Sequence, residues 1–157
     1  MKTIHVKKGD ILQRKGDTDS NIYEVKSGLL RSYTIDEKGK EHIFMFAPEK
    51  WIIADAVLEN DACDFFIEAI EDSTVNISEK NFTRMQSNTS ALAKRMLVLQ
   101  RRIIMLMSYS GLDRYEHFLK TYPELTQRVP QRMIASYLGI TPEALSKAKG
   151  DKLRALK

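Results

Sequence analysis

Residues 131–148 read Gln131-Arg132-Met133-Ile134-Ala135-Ser136-Tyr137-Leu138-Gly139-Ile140-Thr141-Pro142-Glu143-Ala144-Leu145-Ser146-Lys147-Ala148, and this order predicts two short helices that cross at a tight turn. Pro130 stands where the first helix starts, since its missing N–H is one that a first helical turn leaves unpaired anyway. Ala135 is small where the helices must approach, and Gly139 supplies the positive φ of the turn. Ile134, Leu138, Ile140 and Leu145 then fill a shared core. Thr141 caps the second helix, with Pro142 at its first position and Glu143 in its first turn. This is the grammar of a helix-turn-helix that would lay its second helix in a DNA major groove. A plain helical hairpin is the alternative. Gly150 is expected to end the second helix soon after Ala148.

Toward the N-terminus, no proline or glycine interrupts residues 82–109. Leu92, Met96, Leu99, Ile103 and Leu106 are spaced 4, 3, 4 and 3, which predicts a long helix with a heptad seam for a second copy of the chain. Lys94, Arg95, Arg101 and Arg102 keep its other faces polar. Leu97, Ile104, Met105 and Met107 widen the apolar surface, so a single amphipathic helix packed on its own domain is the competing reading. Ser110-Gly111 breaks this helix and marks residues 108–112 as a hinge. Leu112 to Tyr122 then predicts another helix, before Pro123.

The front half has a different period. Short apolar runs alternate with Lys8-Gly9-Asp10, Lys15-Gly16-Asp17, Lys26-Ser27-Gly28 and Glu37-Lys38-Gly39-Lys40, a spacing that predicts an all-β barrel or sandwich. Ile22–Val25 and Leu29–Ile35 read as strands joined at Gly28, and His42–Phe46 completes a hairpin after the Gly39 turn. Phe65–Ile70 and Ser73–Ile77 supply two more strands around Glu71-Asp72.

Charge divides in the same way. Residues 1–78 carry ten Lys and Arg against fifteen Asp and Glu, a net of −5, and the remainder carries fifteen against six, a net of +9. A polyanion would therefore meet the back half, with an ordinary solvated basic face as the alternative. The chain of 157 residues is 43% hydrophobic and 29% charged. With a mean hydropathy of −0.36, these values exclude a wholly disordered chain. No apolar run approaches the roughly 20 residues of a membrane helix, and no apolar stretch follows the basic N-terminus, so a cytoplasmic location and no membrane partner are expected. One cysteine, Cys63, excludes an internal disulfide, and three scattered histidines give no metal constellation. No nucleophile–base pair is visible, so an enzyme is not expected.

A barrel, a long helix and a C-terminal helix-turn-helix, in that order, resemble the Crp/Fnr family of bacterial transcription regulators. The resemblance rests on Lys8-Gly9-Asp10 with Gly16-Asp17, on Ile22 to Arg31, and on the Val129 to Lys147 segment. It implies an α+β fold: an N-terminal double-stranded β-helix (jelly-roll, cyclic-nucleotide-binding-like) barrel over residues 1–80, a dimerisation helix over 81–110 and a helix-turn-helix domain over 111–157. It also implies a Gly-Glu pair for a ribose and an Arg-Ser or Arg-Ala pair for a phosphate in the barrel. Those positions fall near Ile53-Ala54 and Cys63-Asp64, and the polar pair of the dimer helix falls near Leu99 and Gln100. Both barrel anchors are missing, and Asp64 would repel a phosphate, so cyclic AMP is not expected and the effector stays open. The iron–sulfur branch needs several N-terminal cysteines that this chain lacks.

On the reader helix, the resemblance gives base contacts to Thr141, Glu143, Ala144, Ser146 and Lys147. Gln131, Arg132, Lys149, Lys152 and Arg154 suit phosphates. The expected function is a homodimeric, sequence-specific DNA-binding regulator, with double-stranded DNA and a second copy as partners, RNA polymerase as a further candidate, and neither cofactor nor metal. A small-molecule-binding or scaffolding dimer that has lost productive DNA binding is the alternative.

Overall fold

A computed structural model describes residues 1–58, 60–80 and 89–155, the side chains of Ala91, Leu92 and Ala155 excepted. The chain forms two compact units, Met1–Phe82 and Thr83–Lys157.

The first unit carries β1 (Lys2–Val6), β2 (Ile11–Gln13), β3 (Asn21–Ser27), β4 (Leu30–Ile35), β5 (Glu41–Ala47), β6 (Ile52–Ala54), β7 (Phe66–Ala69) and β8 (Ser73–Glu79). They pair into two antiparallel sheets, β1-β8-β3-β6 and β2-β7-β4-β5. The expected hairpin across Gly39 is there, registered from Leu30 opposite Ala47 to Ile35 opposite Glu41. Gly28 does a different job from the one the sequence suggests, because β3 and β4 belong to different sheets. It is a step between layers, and so is the Glu71-Asp72 turn between β7 and β8. Strands β2 and β6, three residues each, are too short to show a period in the sequence. In β1 only Ile4 faces inward with Val6.

Alternation places Tyr23, Val25, Leu30, Met45, Ala47, Ile53, Ile67, Ala69 and Val75 in one core between the sheets. The second sheet is further tied by a buried guanidinium. Arg31 on β4 donates to Glu68 on β7 at 2.7 Å and to Glu41 on β5 at 2.6 Å, and lies 4.1 Å from the centre of the Tyr33 ring. The fold class is α+β, with a β-sandwich followed by helices.

The second unit holds α1 (Thr89–Ser108), α2 (Gly111–Thr121), α3 (Leu125–Arg128), α4 (Gln131–Leu138) and α5 (Pro142–Ala155). The short α3 has no counterpart in the sequence reading. Nor does α5 stop at Gly150: it continues through that residue to Ala155. A glycine inside a helix costs about 1 kcal/mol, and tertiary contact offsets this. Ala148 is buried, and one turn beyond it Lys152 Nζ is 2.9 Å from Glu116 of α2.

Candidate nucleic-acid interface and effector pocket

The turn between α4 and α5 is built from local chemistry. Gly139 ends α4 at φ 64° and ψ 32°. Its N–H reaches the Ser136 carbonyl and that of Ile140 reaches Ala135, both at 3.1 Å, the doubled closure that favours glycine here. The Thr141 hydroxyl accepts from the Ala144 N–H at 3.2 Å, which caps α5. Beneath the turn, Ile134, Ala135, Leu138, Leu145 and Ala148 are buried with Phe118, Leu125 and Val129. Ile140 is only half-buried.

Above it, Thr141, Pro142, Glu143, Ala144, Ser146 and Lys147 form one exposed face at the start of α5. The Glu143 carboxyl is held below its ordinary range by its own backbone N–H and then by Thr141, so it stays ionised. Gln131 and Arg132 are exposed at the start of α4. The other three residues assigned to phosphates lie apart from this face. Lys152 is paired with Glu116, the Lys149 ammonium lies 5.9 Å from the centre of the Tyr115 ring, and Arg154 sits 3.6 Å from Asp151.

Along α1 the apolar residues divide between two sides. Met105 is fully buried, Leu99 and Leu106 are half-buried, and Met96, Ile103 and Met107 are 72%, 57% and 80% exposed. The Leu92 side chain lies outside the described residues. Exposed positions therefore run Ala93, Met96, Gln100, Ile103 and Met107, with Leu97 and Ile104 alongside. Their spacing is 3, 4, 3 and 4, on a stripe that shares Met96 and Ile103 with the expected seam and lies beside Leu99 and Leu106.

The expected hinge is clamped. Arg114 donates through Nη2 to Leu106 O at 2.8 Å, through Nε to Tyr109 O and through Nη1 to Leu138 O, both at 3.0 Å. Ser110 and Asp113 close a capping box at the start of α2. Arg102, read from the sequence as a solvated residue, lies 3.9 Å from the centre of the Tyr137 ring and donates to the Tyr137 carbonyl at 3.1 Å. These contacts join the end of α1 to α2 and α4. Sequence spacing could not reveal them, since the carbonyl of Leu138 is 24 residues from Arg114.

In the sandwich, Ile53 is 1% and Cys63 2% exposed, Ala54 is half-buried and Asp64 is exposed. Gln100 lies in the second unit, exposed on α1. Burial pushes the Cys63 thiol up, against a hydrogen bond from Ser20. The residue the sequence reading missed is Asp55, buried just after β6. Its Oδ2 accepts from the N–H of Asp64 at 2.8 Å and of Phe65 at 2.9 Å, with Gln13 Nε2 at 3.4 Å, while Oδ1 has no hydrogen-bond partner. A carboxylate inside the apolar run Ile52-Ile53-Ala54-Asp55-Ala56-Val57 was the available signal.

Residues 3–88, more than half of the chain, match the cyclic nucleotide-binding domain family. The chain belongs to that family. Its relatives are Crp/Fnr regulators by sequence and by fold. It is 27% identical over 133 residues to the transcriptional activator protein FnrA of Stutzerimonas stutzeri, covering 85% of this chain and 50% of that one. It is 26% identical to the transcriptional activator protein Anr of Pseudomonas protegens, covering 92% and 55%. The chain thus spans about half the length of the curated relatives it matches. Among solved structures, FixK2 of Bradyrhizobium japonicum superposes with a TM-score of 0.78 at 18% identity, over 96% of this chain and 83% of that one. A CRP/FNR-family transcriptional regulator of Thermus thermophilus gives 0.74 at 19%, over 98% and 87%. These relatives are regulators and not enzymes.

The cyclic nucleotide that the family implies does not fit the residues present. At the positions that resemblance gives to the ribose and phosphate anchors stand the methyl group of Ala54 and the buried thiol of Cys63. Neither can pair with a hydroxyl or a phosphate as a carboxylate or guanidinium would. The buried, unpaired Asp55 Oδ1 adds repulsion toward an anion. Among the described residues no group of His, Cys, Asp and Glu could hold a metal ion, and no helix is long and apolar enough to cross a membrane.

Proposed function

We propose that this chain is a homodimeric, sequence-specific DNA-binding transcription regulator of the Crp/Fnr type, acting in the cytoplasm without cyclic AMP. The sandwich is read as a jelly-roll sensor-type domain, α1 as the dimerisation helix, and α4 with α5 as the helix-turn-helix. The observation that carries the reading is the exposed start of α5, where Thr141, Glu143, Ala144, Ser146 and Lys147 share one face above a capped left-handed turn. Helix-turn-helix proteins read base edges with the N-terminal residues of their second helix. Glu143 can accept from a cytosine amino group, and Lys147 can donate to guanine. Gln131 and Arg132 would meet phosphates, whereas Lys149, Lys152 and Arg154 would first have to leave their present contacts.

Selection of bound duplexes from a random library tests this directly. A palindromic winner is expected, with half-sites about 34 Å apart. Its affinity should fall roughly 5- to 150-fold in Glu143→Ala and Lys147→Ala, the equivalent of about 1–3 kcal/mol. No enriched sequence, with only weak and salt-sensitive binding, would instead favour a small-molecule-binding or scaffolding dimer.

The dimer seam proposed on α1 is the face of Met96, Gln100, Ile103 and Met107, because these residues are exposed in the single chain whereas Leu99 and Leu106 are half-buried. Ile103→Lys is expected to weaken self-association by at least about 2 kcal/mol, roughly thirtyfold. Sedimentation equilibrium would register this as conversion to a monomer with unchanged helical circular dichroism. A wild-type chain that sediments as a monomer would remove the dimer from the proposal.

A further inference from the structure

We propose that Asp55 determines what the sandwich excludes: its carboxylate is a built-in anion that fills the N–H cradle of Asp64 and Phe65 and closes it to cyclic nucleotides and other anionic ligands. Two consecutive backbone N–H groups directed at one oxygen, at 2.8 and 2.9 Å, make a concavity that binds anions wherever it occurs. In this chain the anion is covalently attached and comes from the other end of the same excursion, since Asp55 follows β6 and the two N–H groups precede β7.

Gln13 on β2 completes the knot. Its side-chain amide donates to Phe65 O at 3.0 Å and to Asp55 at 3.4 Å, and its carbonyl accepts from the Ser20 hydroxyl at 3.3 Å. Gln13 and Asp55 are 2% and 4% exposed, so the N–H groups meet a partner that is itself buried. An incoming phosphate or carboxylate would have to displace Asp55 and then sit beside its charge. Binding pockets reject ligands by this kind of unpaired repulsion as readily as they accept them by contact. Ser20, which bonds Gln13, also lines a polar cleft of about 390 Å³ with Asp19, Asn21, Glu79 and Lys80. The inference does not depend on whether α5 reads DNA.

The test compares the full chain with Asp55→Ala and Asp55→Asn by thermal unfolding and by the amide resonances of Asp64 and Phe65. Sodium acetate, inorganic phosphate and cyclic AMP are the probes, with sodium chloride at matched ionic strength as the control. Asp55→Ala leaves two N–H groups without an acceptor and is expected to lower the midpoint by on the order of 5 °C. Acetate, which resupplies the missing carboxylate, should restore at least half of that loss saturably and return both amide resonances toward their wild-type positions. The wild-type chain should respond to acetate and phosphate no more than to chloride and should not bind cyclic AMP. Acetate and phosphate acting no better than chloride on folded Asp55→Ala would overturn the proposal, as would saturable binding of cyclic AMP by the wild-type chain. If Asp55→Ala does not fold, Asp55→Asn decides: it retains an acceptor oxygen without the charge, so both amide resonances should move upfield, and unchanged resonances would sink the idea.

Discussion

Gly28→Ala is expected to destabilise the sandwich by about 2–5 kcal/mol, the sum of two penalties of which the turn at Gly39 shares only the first. The first is conformational: Gly28 sits at φ 90°, where a side chain costs about 1–2 kcal/mol. The second is steric. A methyl group there would lie 2.6 Å from the Asp72 carbonyl oxygen and 2.8 Å from Ser73 Cα, and backbone cannot yield as the end of a flexible side chain can. Such overpacking adds about 1–3 kcal/mol.

The strain would fall where the two inter-sheet steps touch. There Leu29 N–H donates to Ser73 Oγ at 3.1 Å, Ser73 Oγ donates to Glu71 O at 2.8 Å and Ile70 N–H donates to Leu29 O at 2.9 Å. Gly39→Ala is the internal control, because φ there is 78° but nothing lies within 4 Å of the added carbon. Trp51, the single tryptophan, reports on this unit. Urea unfolding followed by its fluorescence should place Gly28→Ala about 1–3 kcal/mol below Gly39→Ala. Equal midpoints would mean that the two steps can separate at little cost.

Phe118→Ala is expected to cost the helical unit about 3–5 kcal/mol. Phe118 is fully buried, with ring centres of Tyr122 and Tyr137 at 5.4 and 5.7 Å, and those two rings meet edge-on at 5.6 Å. The loss includes the transfer term, the cavity and two aromatic contacts of about 0.5–1.5 kcal/mol each. A small unit has few other large side chains to collapse into the space. Helical circular dichroism should therefore melt well below the wild-type temperature, while Trp51 fluorescence keeps its own transition. Coincident loss of both signals would show that the sandwich depends on the helical unit.

What could be read from the chain follows the range of the interactions involved. Pro130, Gly139 and Thr141 act on residues no more than five positions away, so the α4–α5 turn was legible residue by residue. The Gly39 hairpin was legible for the same reason. Gly28 was visible as a turn but not as a change of sheet, because that depends on where β8 lies, more than 40 residues on. The heptad spacing of α1 marked a helix with apolar surplus but not which residues would be buried, since Arg102 is claimed by Tyr137 of α4, 35 residues on, and Met105 rather than a seam residue is the one fully buried. Gly150 misled because propensity is weak beside one burial and one ion pair. Asp55 stayed hidden because Gln13 lies 42 residues away and its two N–H partners nine and ten.

The Arg114 guanidinium has a mechanical meaning. Carbonyls at a helix C-terminus carry partial negative charge, and Arg114 gathers those of Leu106 and Tyr109 from the end of the long helix together with Leu138 from the end of α4. One planar cation is thus shared by two helix ends. Lysine, a point donor on a single nitrogen, could not span the three acceptors. The last turn of the long helix is thereby tied, through one side chain, to the carbonyl that precedes the turn at Gly139. Loss of that one side chain would release both helix ends together.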